Sequence, residues 1–141
     1  MIVLDSDILS LMLWQGAIPS ALDRRLSEVS ARDVTTTIAN FEEQMRGWMK
    51  ALKAAKTVNE EIHAYQLMNR HLRMYAKLVV LDFNEVAASH YQQLRKQFRR
   101  LGMFDLKIAA IAIANHATLV TRNLGDFRQI TGLNAEDWTK E

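Results

Sequence analysis

Residues 101–127 restrict the possible folds of this 141-residue chain more than any other segment. Residues 104–114 are almost wholly apolar and rich in alanine, and the run is too long for a strand, so it predicts a helix buried on most of its faces. Residues 118–121 form a short β-branched run, which is typical of a strand inside a parallel sheet. Asp105 begins the helix and Asp126 follows the strand, so an acidic residue accompanies each of these core elements.

The rest of the chain repeats this alternation of strands and helices. Further strands are predicted at residues 2–4, 34–38 and 78–81, with a short edge strand within 133–138. The pattern predicts an α/β fold, in which a mostly parallel central sheet of four or five strands carries helices on both faces. Two long helices within residues 41–75 predict a helical hairpin. At this length, residues 1–141 are expected to form a single domain.

The composition excludes several classes of protein. The chain has no cysteine, so it has neither disulfides nor thiolate metal sites, which fits a reducing compartment. No apolar run reaches the length of a membrane span, and we expect a cytoplasmic protein with no membrane partner. The net charge of +2 is a mild indication of nucleic-acid binding.

Helix starts can be predicted from capping residues. A capping box pairs a polar cap with a glutamate three residues later. We expect caps at Asp7, at Ser20, at Asn40 with Glu43, at Thr57 with Glu60, and at Asp82 with Glu85.

Acidic side chains follow, or precede, several of the predicted strands. In parallel sheets, ligands bind beyond the carboxyl ends of the strands. Asp5 lies at that end of the first strand, and Glu43 lies in the first turn after the second. Asp105 opens the helix before the fourth strand, and Asn123 and Asp126 follow that strand. Four carboxylates, distant in sequence, are therefore expected at one edge of the sheet.

Converging carboxylates repel one another unless a cation lies between them. All-oxygen ligand sets suit Mg²⁺ or Mn²⁺, which activate water for attack on phosphodiester bonds. The predicted chemistry is therefore metal-assisted phosphodiester hydrolysis, and Thr121 is a weaker candidate for holding the attacking water. Taken singly, each acidic residue also has an ordinary structural explanation as a turn, cap or helix-dipole residue. Those explanations do not account for the prediction that all four carboxylates lie at the same edge of the sheet.

Five segments together resemble the PIN-domain ribonucleases, and specifically VapC-type toxins of toxin–antitoxin pairs. The segments are VLDSDILS, TIANFEEQMRG, GMFDLKIAA, LVTRNLGDF and GLNAEDW, and the first and last of them lie near the two ends of the chain, so the resemblance extends over nearly its whole length. The family's first three acidic positions map onto Asp5, Glu43 and Asp105. Its fourth position varies and corresponds to Asn123 or Asp126, of which we favour Asp126. Asp7 stands where the family commonly has asparagine, so it is a possible extra acid.

This resemblance implies a Mg²⁺-dependent endoribonuclease, with Mn²⁺ as an alternative ion, that cleaves structured RNA such as tRNA. Asp5, Glu43 and Asp105 would bind the metal, and Asp126 would support them. The implied partners are a cognate antitoxin, the RNA substrate and a second copy of the chain in a homodimer. Basic side chains beside the site would hold the RNA backbone, or else form a solvated face: Arg95, Lys96, Arg99 and Arg100.

Three alternatives remain open from the sequence. A PIN-type nuclease could act on DNA, although such chains usually carry extra segments that are missing here. A receiver-like signalling domain would use Asp82 as the phosphate acceptor, but no lysine follows the strand at 118–121. A catalytically silent RNA- or protein-binding module would share the fold, and metal-dependent cleavage of an RNA panel separates it from the nuclease.

Overall fold

The computed structural model describes residues 1–13 and 18–141, and it confirms the alternating α/β architecture. A 3₁₀ turn at Ala31–Asp33 precedes the second strand. The elements in chain order are β1 (Ile2–Leu4), α1 (Ser6–Leu13), α2 (Ser20–Ser27), β2 (Val34–Thr37), α3 (Ile38–Ala54), α4 (Val58–Ala76), β3 (Val79–Leu81), α5 (Glu85–Gln97), α6 (Met103–Ala114), β4 (Thr118–Val120), α7 (Leu124–Phe127) and β5 (Asn134–Glu136).

The five strands form one sheet in the order β3-β2-β1-β4-β5, and every neighbouring pair is parallel. The β1 strand lies at the centre, where Val3 pairs with Thr35 on one side and with Leu119 on the other. All five carboxyl ends consequently reach the same edge, which we call the carboxyl edge. From β1 the chain adds β2 and β3 on one side of the sheet and then β4 and β5 on the other. Such a reversal in strand order places a crevice at the carboxyl edge.

Two hydrophobic clusters cover the two faces of the sheet. Successive side chains of a strand point to opposite faces, so Val3 joins one cluster while Ile2 and Leu4 join the other. The first cluster is built on α6, whose run from Ile108 to Ala112 is buried all round. The second contains side chains of α1, α2 and α4. Helix, sheet and helix therefore form the three predicted layers.

The helices α3 and α4 form the predicted hairpin, but the apolar stripe of α4 faces outwards. The side of α4 that packs inwards carries Ala64, Leu67, His71 and Tyr75. The alternative stripe, readable from the same periodicity, is exposed: Val58 (69%), Ile62 (48%), Tyr65 (58%) and Leu72 (56%). The α4 helix thus buries Leu67 and Tyr75 and exposes a second set of bulky apolar side chains.

Several predicted helix caps are wrong by a few residues. Thr37, rather than Asn40, caps α3, because its hydroxyl accepts from the Asn40 amide at 3.1 Å. The capping box of Asn40 with Glu43 therefore does not form, and Glu43 lies inside the helix. Asn84, rather than Asp82, caps α5 through the Ala87 amide.

Of the three remaining predicted caps, one is confirmed and two are wrong. Thr57 caps α4 as predicted, although the Glu60 carboxylate accepts from the Lys56 amide instead of completing the box. Ser20 is not a cap, because it is the first residue of α2 and follows Pro19. Asp7 lies within the first turn of α1 instead of preceding it. Its carboxylate is consequently available to the carboxyl edge.

The described residues contain no helix that is both long enough and apolar enough to cross a membrane.

Candidate active site

Asp5 lies directly after β1 and is the most enclosed of the predicted acidic residues, with 6% of its surface exposed. Three groups donate hydrogen bonds to its carboxylate. The Ser6 amide and the Asn40 side chain reach Oδ1 at 2.8 and 3.1 Å, and the Thr121 hydroxyl reaches Oδ2 at 2.7 Å. Burial raises the pKa of Asp5, while these hydrogen bonds lower it. The carboxylate is therefore held in one orientation.

Glu43 lies on α3, beside the carboxyl end of β1. Its Oε1 accepts a hydrogen bond from the Ser6 hydroxyl at 2.7 Å. Burial raises the pKa of Glu43, the bond from Ser6 lowers it, and the nearby Asp5 raises it again. No hydrogen bond to the second oxygen, Oε2, occurs among the described residues.

Asp105 lies in the first turn of α6, as the sequence predicts. Burial is the main reason that its pKa rises to about 6. The other predicted carboxylates, Asp5, Glu43, Asp126 and Asp7, each raise it further. The negative charges of these four side chains therefore all act on Asp105.

Asp7 belongs to this site, and only one of its two carboxylate oxygens accepts a hydrogen bond among the described residues. Its Oδ2 accepts from the Arg122 amide at 3.1 Å, and the Arg122 guanidinium lies 3.9 Å away. Its Oδ1 is buried without a hydrogen-bond partner among the described residues. Burial and then Asp5 raise the pKa of Asp7 to about 6.

Asn123 and Asp126 contact each other at the beginning of α7. The Asn123 side chain donates to Asp126 Oδ2 at 3.2 Å, and the Asn123 amide donates to the Thr121 hydroxyl at 3.0 Å. Thr121 in turn donates to Asp5. The two candidates for the fourth acidic position therefore lie in one hydrogen-bonded group, and the Asp126 charge acts on Asp105.

The donor set fits a hard divalent cation in its chemistry. Every donor is an oxygen, like charges are gathered at partly buried positions, and Asp7 Oδ1 has no partner. Within residues 1–13 and 18–141, no three acidic or histidine side chains are close enough together to form a ready-made metal site.

The basic residues predicted to bind RNA lie at the end of α5 and in the loop that leads to Asp105. Arg99 and Arg100 belong to that loop and line a shallow surface depression with Lys96 and Gln129. Arg95 stacks over the Tyr91 ring, with its guanidinium carbon 5.6 Å from the ring centroid. All four side chains are exposed.

Three residues of the site were missed by sequence reasoning. Ser6 and Asn40 are hydrogen-bonded to the carboxylates, but both occupy positions that sequence patterns assign to turns and caps. Arg46 lies one turn after Glu43 and places its guanidinium 5.6 Å from the centroid of Phe104, the neighbour of Asp105. Arg46 also forms an ion pair with Glu42 at 2.8 Å, and this spacing of four residues on one helix was the available signal.

Comparison with known proteins decides the family. The model of the PIN domain matches residues 2–133, a range that contains every predicted site residue. The chain belongs to the PIN domain family.

Relatives of this PIN domain include curated ribonucleases. Ribonuclease VapC1 from Haemophilus influenzae (strain R2866) is 28% identical over 143 residues, covering 98% of each chain. The tRNA(fMet)-specific endonuclease VapC from Shigella flexneri is 37% identical over 68 residues, covering 45% of this chain and 52% of that protein.

Solved structures give the same PIN-domain fold. A chain of VapBC2 from Rickettsia felis, bound to a DNA fragment from the promoter, superposes with a TM-score of 0.76 at 26% identity. The match covers 98% of this chain and 99% of that one. VapBC-1 from nontypeable Haemophilus influenzae matches with a TM-score of 0.70 at 29% identity, over 99% of this chain and 100% of that one.

Proposed function

We infer that this PIN domain is an endoribonuclease of the VapC type, the toxin of a toxin–antitoxin pair, which hydrolyses structured RNA such as tRNA. The observation that carries this conclusion is the convergence of Asp5, Glu43, Asp105 and Asp126 on one edge of the sheet. The names of the full-length relatives support ribonuclease activity, and the partial match to a tRNA(fMet)-specific endonuclease supports tRNA as the substrate class.

The proposed cofactor is Mg²⁺, with Mn²⁺ as a substitute, held by Asp5, Glu43 and Asp105. PIN-domain nucleases generally depend on divalent metals, and the all-oxygen donor set fits these ions. When bound, such an ion supplies Lewis-acid polarisation of a phosphate and lowers the pKa of water. Asp126 and Asn123 border the same site and are proposed to orient the attacking water, with Thr121 fixing Asp5.

The protein's own residues must also bring a polyanion to an acidic cluster. We propose that Arg95, Lys96, Arg99 and Arg100 bind the RNA backbone next to Asp105, because they are exposed and lie at or before the loop that leads to it. Asp5 and Glu43 keep fixed carboxylate orientations through their hydrogen bonds, so they are prepared before substrate arrives.

The experiment that tests this function uses purified protein and two matched substrate panels. Structured RNAs, including tRNAs, and DNA hairpins of the same stems are incubated with Mg²⁺, with Mn²⁺ or with excess chelator. Internal cleavage of RNA that stops in chelator supports the proposal. Cleavage of the DNA panel alone would favour the DNA-nuclease alternative, and cleavage of neither would favour a silent binding module.

The proposed protein partners are an antitoxin and a second copy of this chain. The neighbours named VapBC are complexes, and the exposed apolar face of α4 offers more bulky surface than a solvated helix needs. The hairpin also carries Met45, Trp48, Met49 and Met68. Met49 is exposed, but Trp48 is partly buried and donates to His71, so Tyr65 and Leu72 are the better probes.

A double variant, Tyr65→Ser with Leu72→Ser, tests this face. Sedimentation velocity reports the dimer, and co-purification with the neighbouring antitoxin reports the complex. Loss of either assembly identifies its contact, whereas retention of both would exclude this face. Asn59→Ser with Gln66→Ser, at exposed positions of the same helix about 100° or more around its axis from Tyr65, is the matched control.

A further inference from the structure

A chain of hydrogen bonds leads from the end of β2 into the carboxylate cluster. It begins at Thr37, whose hydroxyl accepts from the Asn40 amide at 3.1 Å and donates to Asn40 Oδ1 at 2.7 Å. A hydroxyl group has one proton, and here that proton is directed at the side-chain carbonyl of Asn40. The Asn40 Nδ2 group is consequently turned away from Thr37.

Both hydrogens of that Nδ2 group have acceptors in the site. One is Asp5 Oδ1 at 3.1 Å, and the other is Ser6 Oγ at 3.0 Å. Because Ser6 Oγ accepts from Asn40, its single proton is free to go to Glu43 Oε1, 2.7 Å away. The chain of donors from Thr37 to Ser6 therefore ends on two carboxylate oxygens, Asp5 Oδ1 and Glu43 Oε1.

Burial makes this direction hard to reverse. Asn40 is fully buried. Turning its amide over would place a carbonyl oxygen against the Asp5 carboxylate and remove the Asn40 donor to Asp5, which is costly. The Gln44 side chain also donates to the backbone oxygen of Ser6 at 3.2 Å, so the Ser6 main chain is held from a second side.

We propose that Asn40 is a positioning residue for this nuclease: through one buried amide it orients Asp5 directly and Glu43 by way of Ser6. The inference rests on the proposed function, because it assigns a role relative to the metal-binding carboxylates. With Oε1 of Glu43 engaged by Ser6, Oε2 is the oxygen available to a cation. Asn40 does not touch substrate, so its effect is on the carboxylates alone.

The test uses Ser6→Ala, Ser6→Thr, Asn40→Ala and the double variant Ser6→Ala with Asn40→Ala. RNA-cleavage kcat and KM are measured at saturating Mg²⁺, and Mn²⁺ alone is titrated calorimetrically. We expect Ser6→Ala and Asn40→Ala each to lower kcat and Mn²⁺ affinity by about 10- to 100-fold, the usual range for residues that orient metal ligands. The KM for RNA should stay within about 2-fold, since the chain of bonds contacts no substrate.

Two further outcomes distinguish positioning from simple packing. Ser6→Thr keeps the hydroxyl and should restore most of the activity that Ser6→Ala loses. The double variant should be about as impaired as the worse single variant, because both changes interrupt one pathway. Multiplicative losses, or a threonine variant as inactive as the alanine variant, would overturn the proposal.

Thr35→Val is the matched control. Thr35 is as fully buried as Asn40 and donates to the Ile2 backbone oxygen at 2.6 Å, with no link to a carboxylate. It should lower the melting temperature while leaving kcat and Mn²⁺ affinity within about 2-fold.

The control also separates two kinds of failure. Absence of metal-dependent cleavage by the unmutated protein would contradict the proposed function itself. Active unmutated protein with Ser6→Ala as active as Thr35→Val would remove only the positioning role. If Asn40→Ala does not fold, the comparison of Ser6→Ala with Ser6→Thr and with the control Thr35→Val decides whether the positioning role holds.

Discussion

Asp5 and Asp105 bring the same chemical group to the same edge of the sheet, but the protein holds them differently. Asp5 is buried and accepts hydrogen bonds from Ser6, Asn40 and Thr121. Asp105 is half-buried on the first turn of α6, and among the described residues nothing donates a hydrogen bond to its side chain. The Asp5 carboxylate is therefore preorganised by hydrogen bonds, whereas the orientation of the Asp105 carboxylate is expected to be set by its ligand.

This difference separates two sources of pKa change. Burial raises the pKa of both residues, but hydrogen bonds oppose the rise only at Asp5. At Asp105 the neighbouring carboxylates add to the rise, because no donor or cation offsets them. A metal ion would therefore relieve more repulsion on the Asp105 side.

The largest expected effect is the loss of cleavage on removal of metal. With an all-oxygen site, excess chelator should reduce RNA cleavage by at least about a thousandfold, since metal activation of water is worth several kcal/mol. Readdition of Mg²⁺ or Mn²⁺ should restore it. Full-rate cleavage by highly purified protein in chelator would break the metal mechanism on both sides of the site.

Asparagine substitution should affect the stability of the two sides in opposite directions. Asp5→Asn places an amide among three donors and should destabilise the metal-free fold by about 1–3 kcal/mol. Asp105→Asn removes a repelled charge and should stabilise it by roughly 1 kcal/mol, after allowance for solvent screening. Urea unfolding in chelator measures both values. Equal changes in the two variants would erase the contrast.

The pH dependence of stability should reveal the raised pKa of Asp105. Its pKa of about 6 in the folded protein exceeds the ordinary 3.8, so the folded state binds the extra proton. That contribution is fully present below pH 3.8 and is lost as the pH rises through 6. In chelator, the melting-temperature advantage of Asp105→Asn should therefore grow between pH 4 and pH 7. An advantage that shrinks over this range would contradict the assignment.

The smallest expected effect concerns the basic residues next to Asp105. Replacing Arg99 and Arg100 by alanine should weaken RNA binding several-fold and reduce the slope of log affinity against log salt by about 1.4, the value for two phosphate contacts on a single strand. The same charge change at Lys50 and Lys53 is the control, because both are exposed on α3. An unchanged slope would make the arginines a solvated face.

Much of the site could be predicted because it follows from short-range patterns. The run at residues 104–114 has no polar face, so it had to be a core helix, and its first turn had to reach the carboxyl edge once the sheet was parallel. Asp5 and Asp105 were found by that reasoning. The PIN-domain match confirms the family inferred from the motifs.

What the sequence did not reveal depends on tertiary contact. The α4 sequence contains two apolar stripes, and only packing decides that Leu67 and Tyr75 are inside while Tyr65 and Leu72 are outside. Thr37 caps α3 in place of Asn40, because the Asn40 side chain is hydrogen-bonded to Asp5 and Ser6. These two residues are more than thirty positions away in the chain. Periodicity cannot detect a hydrogen bond between such distant residues.

The most direct test of the central claim is a paired measurement on the unmutated protein and Asp105→Asn. RNA cleavage and thermal melting are followed with and without Mg²⁺ at equal protein concentration. If Asp105 binds metal, the variant should lose cleavage, and Mg²⁺ should raise the melting temperature of the unmutated protein more than that of the variant. If Asp105 serves only the helix end, asparagine should replace it with little loss. Retained cleavage by Asp105→Asn, with an equal Mg²⁺ shift in both proteins, would contradict the account.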